Sequence, residues 1–181
     1  MNALNAMLAI AKADLEVHAV LFATRLGREL ERRGWLVCSA ESCTGGAIAR
    51  ALTETGGSSA WFDSAYITYS NRAKMANLGV LAATLESYGA VSEQVVAGMA
   101  AGALGRSTCQ LALAVSGVAG PGGGSIEKPV GMVCFGWAMS SRESGTTVVT
   151  QTLQLSGDRY EVRLRTVCYA LLRAEELIHA A

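Results

Sequence analysis

The stretch WLVCSAESCTGGAIARAL, residues 35–52, decides the fold. Its opening, WLVCSA at 35–40, is a short apolar run of strand length and reads as a buried strand. Its close, Ala47 to Leu52, reads as a helix that Gly56 and Gly57 break. Between them lie Glu41, Ser42, Cys43, Thr44, Gly45 and Gly46. A strand that turns through Gly-Gly into a helix exposes its turn residues at the carboxyl end of a sheet, where α/β domains hold their ligands.

The same alternation continues in both directions. Ser64 to Tyr69 (SAYITY) reads as a second strand, and Asn71 to Leu78 starts another helix. Ser92 caps a further helix, with Val95, Val96, Met99, Ala100, Ala103 and Leu104 as its buried face. Leu111 to Val115 is a third strand and ends in the Gly-rich segment Gly117 to Gly124. Val130 to Met139 and Thr146 to Leu155 form an antiparallel pair around a polar turn at 140–145. A last helix starts at about Asp158, with Leu164, Val167, Leu171, Ala174 and Ile178 as its stripe. Upstream, Leu4, Leu8, Ala11, Leu15, His18 and Phe22 fall on one helical face, which Leu26 and Leu30 continue to Gly34. His18 on that stripe reads as a hydrogen-bonded core or interface histidine. Strands separated by helices predict an α/β domain whose mixed sheet is covered on both faces. The 181 residues, without repeat or linker, form one domain.

Composition narrows the function. Fifteen basic and fifteen acidic residues cancel, which excludes a general nucleic-acid binder. Hydrophobic residues at 51% and charged residues at 17% exclude disorder. No apolar run reaches the roughly 20 residues of a membrane span, and the N-terminus has no basic region ahead of its apolar part, so no secretory signal is expected. Five cysteines, odd in number and without a C-x-x-C pair, point away from a zinc cage or disulfide framework and toward a reducing cytoplasm. The two histidines, His18 and His179, lie near the termini, so hydrolytic chemistry here must run without a catalytic histidine.

Four segments could carry that chemistry. In the first, a hydroxyl of Ser42 or Thr44 is either a nucleophile beside the amides of a helix start or simply a helix cap; Cys43 lacks a histidine to activate it. The pattern is not the G-x-S-x-G elbow of α/β-hydrolases. The second holds Tyr69, Ser70, Asn71, Arg72 and Lys74. Lys74 is one of three lysines, and to act as a base it must be pushed toward neutrality by burial and a neighbouring cation such as Arg72. The alternative is a solvated surface charge, and Ser70, four residues before Lys74, is a rival nucleophile. The third, Ser116 to Ser125, has five glycines between 117 and 124, so backbone amides can approach a ligand closely; it lacks the ending of a Walker loop. In the fourth, Asp158 caps the last helix and Arg159 could hold a phosphate.

Taken in order, Ala40 to Gly46, Tyr69-Ser70-Asn71-x-x-Lys74, Gly117-Val118-Ala119-Gly120-Pro121-x-Gly-Gly, Lys128-Pro129-Val130-Gly131 and Gly157-Asp158-Arg159 closely resemble the CinA C-terminal domain family. GSSAWF at 57–62 and Gly89 to Ser92 extend the likeness from about residue 17 to the C-terminus. The resemblance implies a three-layer α/β/α sandwich, with residues 1–16 as a helical extension outside the match. It also implies hydrolysis of the carboxamide of nicotinamide mononucleotide (NMN) to nicotinate mononucleotide and ammonia, in pyridine nucleotide recycling. On the matching positions Ser42 is the nucleophile, Lys74 the general base and Tyr69 an aid to proton transfer. Thr44, Gly45, Gly46, Asn71, Gly117, Gly120, Gly123 and Arg159 are the expected substrate-binding residues. No metal or cofactor is expected, nor a nucleic-acid or membrane partner, and a cytoplasmic homo-oligomer, with a dimer favoured, is. The competing reading is a non-catalytic nucleotide-binding or protein-interaction module.

Overall fold

The strand read at 35–40 is β1, Val37–Glu41, and it lies inside the sheet. In this computed structural model, which describes residues 2–141 and 145–180, β1 pairs in parallel with β2 (Phe62–Ile67) on one side and β3 (Leu111–Gly117) on the other. β4 (Met132–Ser141) runs antiparallel to β3, and β5 (Gly145–Gln154) antiparallel to β4. The order is β2-β1-β3-β4-β5, a mixed sheet. The expected turn at 140–145 falls partly at 142–144, outside the described residues.

The helices are α1 (Ala3–Leu8), α2 (Leu15–Arg33), α3 (Ala47–Thr53), α4 (Asn71–Leu78), α5 (Ala82–Tyr88), α6 (Glu93–Leu104) and α7 (Arg159–Ala180). They cover both faces, because successive strand residues point to opposite sides. Val37, Leu111, Leu113, Val115, Val133, Phe135 and Trp137 meet α1, α2, α3 and α7. Cys38, Ala40, Ala112, Ala114, Cys134 and Ala138 meet the layer of α4, α5 and α6. The asymmetry of size sets the spacing of the layers. On the large-residue face, the Tyr169 ring meets Phe135 edge-on at 5.0 Å, and the Trp137 indole N–H donates to Ala170 O at 3.0 Å. On the small-residue face α6 lies close to the sheet: a Cβ on Gly136 would sit 2.7 Å from Val96 O. The small residues of α6 continue the fit, since a Cβ on Gly102 would sit 2.0 Å from Leu78 O of α4.

The helical N-terminal stretch departs from its expected single stripe. The chain leaves α1 at Ala9, passes through a 3-10 turn at Lys12–Asp14 and restarts as α2. The break resets the helical phase, so Met7, Ile10 and Leu15 are buried whereas Leu8 and Ala11 face solvent. His18 is half-buried rather than in the core; its Nδ1 lies 2.9 Å from Asp14 O and its ring packs on Phe22. α1 docks on α7, where Ala3 N donates to Glu176 Oε1, and in the turn that follows α1, Lys12 pairs with Asp158, the residue ahead of α7, at 2.5 Å. α5 was not anticipated at all. Among the described residues no helix is long and apolar enough to cross a membrane.

Candidate active site at the carboxyl ends of the parallel strands

β1 leads through α3 on one face to β2, and β2 leads through α4, α5 and α6 on the other face to β3. The direction of winding therefore changes between β1 and β3, and the crevice beyond their carboxyl ends is the natural ligand site of such a sheet. The segments after β1, β2 and β3 hold Ser42, Lys74 and the Gly-rich loop, and the start of α7 adds Arg159. All four segments singled out in the sequence meet at this end of the molecule.

Ser42 follows β1 directly, tied to the neighbouring strand by its N–H donating to Val115 O at 3.1 Å. It is 9% exposed. Lys74, on the first turns of α4, is 1% exposed, and its Nζ lies 3.0 Å from Ser42 Oγ. Nζ also donates to Thr68 O at 2.8 Å and reaches Tyr69 O at 3.5 Å. Burial pushes the Lys74 ammonium toward the neutral amine. Cys43, the neighbour whose thiolate would oppose that shift, is itself buried and pushed up to about 12, so it stays an uncharged thiol. Arg72 is exposed on α4 and contributes nothing to the shift; the helper cation expected from the sequence is replaced by desolvation alone. An amine with two hydrogens turned to carbonyls presents its remaining tetrahedral position, a lone pair when neutral, to the Ser42 hydroxyl.

Ser70 is the N-cap of α4: its Oγ accepts from Ala73 N at 3.1 Å, and it is exposed. Tyr69 is 62% exposed, and its hydroxyl accepts from Arg159 Nη2 at 3.3 Å, so Tyr69 touches Lys74 through its carbonyl and not its phenol. Arg159 Nη1 donates to Gly120 O at 2.7 Å and thereby joins the start of α7 to the Gly-rich loop. That corner lines an open cleft with Ala119, Pro121, Val130 and Tyr160. Asp158 caps α7 reciprocally with Glu161: Glu161 N donates to Asp158 Oδ1 at 3.0 Å and Asp158 N to Glu161 Oε2 at 3.1 Å. Gly117 is small for the sheet's sake, since a Cβ there would lie 2.8 Å from Met132 O. Gly123 and Asn71 are exposed at the rim. Thr44 is buried and turns its hydroxyl inward, onto Glu41 Oε2 at 2.7 Å.

Glu41 and Arg163 carry most of what the sequence reading missed. Glu41 is fully buried, and its carboxylate accepts from Gly46 N at 2.9 Å, Ile48 N at 3.1 Å and Ala49 N at 2.8 Å as well as from Thr44 Oγ1. Ser39 Oγ adds a bond at 3.2 Å. The free N–H groups at the start of α3, which a sequence reader offers to a ligand anion, are taken by an internal one. An acidic residue just ahead of a helix start was the available signal. Arg163, one turn after Arg159 on α7, donates from Nη2 to Thr44 O at 2.6 Å. Its signal was the i, i+4 spacing from Arg159. Among the described residues neither arginine makes an ion pair with a carboxylate; Arg159 is held by Gly120 O and the Tyr69 hydroxyl, and Arg163 by Thr44 O.

Comparison with known proteins places the chain in a family. The family model described as CinA C-terminal domain matches residues 21–178. The nicotinamide-nucleotide amidohydrolase PncC of Enterobacter agglomerans is 53% identical over 149 residues, 82% of this chain and 88% of the relative. PncC of Pseudomonas putida is 50% identical, covering 82% of this chain and 90% of its own. The crystal structure of competence damage-inducible protein A (ComA) from Klebsiella pneumoniae superposes with a TM-score of 0.83 at 37% identity, over 90% of this chain and 99% of that one. Competence/damage inducible protein CihA from Agrobacterium tumefaciens gives 0.80 at 47% identity, over 90% and 94%. With a family match through nearly the whole sheet and its helices, and half the residues identical in proteins of similar length, the chain belongs to the CinA C-terminal domain family.

Proposed function

We propose that the protein hydrolyses the carboxamide of NMN to nicotinate mononucleotide and ammonia, with Ser42 as nucleophile and Lys74 as general base. The contact between Lys74 Nζ and Ser42 Oγ at 3.0 Å, made by a lysine that burial drives toward neutrality, carries the chemistry. The substrate comes from the PncC relatives, whose names state that they act on nicotinamide nucleotide.

Neutral Lys74, its two hydrogens on Thr68 O and Tyr69 O, takes the proton of Ser42 as Oγ attacks the carboxamide carbon. The ammonium then gives that proton to the departing nitrogen, which leaves as ammonia with formation of the Ser42 acyl ester. Lys74, neutral again, activates a water that cleaves the ester to the carboxylate and restores Ser42. Arg159, with the Gly120 loop it holds, supplies positive charge for the substrate phosphate without any excess of net charge. Tyr69, through Arg159, belongs to the same corner and orders that cation. The five cysteines are free, in keeping with work in a reducing cytoplasm.

The test is ammonia release from NMN by purified Ser42→Ala, Lys74→Ala and Arg159→Ala, each checked for folding by circular dichroism. The first two are expected to be almost inactive, and Arg159→Ala to raise KM for NMN by about tenfold, the worth of one charge-assisted contact. Normal turnover by either of the first two overturns the dyad. NMN binding to the wild type without ammonia release would favour the non-catalytic module.

A further inference from the structure

The turn that carries Ser42 is held from behind through two peptide planes. Gly45 N donates to Ser42 O at 3.1 Å, which closes the turn. Gly45 N belongs to the same planar peptide as Thr44 O, the atom that accepts from Arg163 Nη2 at 2.6 Å. Ser42 O in turn shares its peptide with Cys43 N. In a trans peptide the C=O and N–H point in opposite directions, so a Ser42 carbonyl turned into the turn sends the Cys43 N–H out of it. The Gly46, Ile48 and Ala49 amides are consumed by Glu41, and Ser42 N by Val115 O. Cys43 N has no protein acceptor among the described residues. The amide of the residue after a nucleophile is well placed for the oxyanion of an acyl transfer.

We infer that Arg163 is a positioning residue for the proposed amide hydrolysis: by gripping Thr44 O it locks the two peptides that aim the Cys43 N–H at the developing oxyanion. This rests on Ser42 being the nucleophile. Three further features fit the role. The Arg163 Nε is buried without a hydrogen-bond partner, so the guanidinium is seated against the protein and not spread toward solvent. The guanidinium lies against the turn, since a Cβ on Gly45 would be in ordinary contact with Nη2 at 3.6 Å. The grip also spans 119 residues of sequence, joining the nucleophile turn to α7, on which Arg159 stands one turn earlier.

The experiment compares Arg163→Gln and Arg163→Lys with the wild type in steady-state ammonia release. Ser42 is titrated in parallel with a serine-directed phosphonylating reagent, to count intact sites. NMN binding is measured by calorimetry in the inert Ser42→Ala background with and without Arg163→Gln. The expected result is a kcat lower by about 10²-fold for Arg163→Gln, as for other small misplacements of a reacting group. KM and the NMN dissociation constant stay within threefold and the count of titratable serines is unchanged. Arg163→Lys, which can still donate to Thr44 O, recovers part of the rate. Weaker NMN binding with unchanged kcat makes Arg163 a phosphate ligand and overturns the inference. So does a rate loss that matches a loss of titratable Ser42, or a kcat within threefold of the wild type. Ammonia release by Ser42→Ala in the same assay would overturn the Ser42 reading itself, and the inference with it.

Discussion

Replacing Lys74 by methionine separates what the lysine does for catalysis from what it costs the fold. Methionine keeps the unbranched stem as far as Cε, with sulfur in place of the Cδ methylene, and removes the amine. Ammonia release from NMN is expected to fall by about 10²–10⁴-fold, the span attributed to a general base. Stability changes in a way that depends on pH. Burial holds the folded-state pKa of Lys74 below its ordinary 10.5, so between those two values the unfolded chain binds one proton more than the folded protein. The wild type therefore gains stability as pH rises through that window, at up to about 1.4 kcal/mol per pH step, and the variant does not. At the alkaline end, where the lysine is neutral in both states, the variant is the less stable protein. It lacks the donor at 2.8 Å from Thr68 O, and a buried carbonyl left unpaired costs about 1–3 kcal/mol. Toward neutral pH the deficit shrinks and can reverse. Urea unfolding of both proteins at several values from pH 7 to 10 measures the difference, in which the other titrating groups cancel. A stability difference that stays flat across that range would show an unperturbed lysine and refute the general-base argument.

Further expectations follow from individual contacts. Glu41→Gln turns one oxygen that accepts backbone N–H groups into a donor facing them; a loss of about 3 kcal/mol in urea unfolding is expected, and a loss under 1 kcal/mol would mean that the start of α3 does not depend on the carboxylate. Gly102→Ala drives a Cβ to 2.0 Å from Leu78 O; separation of α4 from α6 should cost about 1–3 kcal/mol, and an unchanged melting temperature would show that the two helices are not closely apposed. Cys43 is buried and its thiol is pushed up to about 12; Cys43→Ala should keep ammonia release within about threefold, and native protein should leave this cysteine unalkylated by iodoacetamide at neutral pH, whereas loss of turnover would make the thiol a participant.

The elements of the sheet were legible because their signals are local. β1, β3 and α6 announce themselves by apolar runs and periodic faces, and Ser92 and Asp158 by the cap positions they occupy. The rare residues are legible too: both histidines lie near the ends, which leaves three lysines as candidate bases. The α1–α2 break was not legible, because an apolar periodicity that runs through Ala9 to Ala11 says nothing about where tertiary docking interrupts it.

The sequence by itself determined the α/β class, the turn after β1 and the family, since each depends on residue types at short or ordered spacings. Tertiary structure alone decided that Lys74, 32 residues from Ser42, reaches its hydroxyl while Ser70, four residues away, is spent as a cap. It also decided that Glu41 fills the start of α3, and that burial rather than Arg72 moves Lys74 toward neutrality. The reason is physical. Periodicity and capping are set by neighbours along the chain, whereas desolvation and hydrogen-bond partners are set by whatever the fold brings within a few ångströms, and that proximity is not written in sequence spacing.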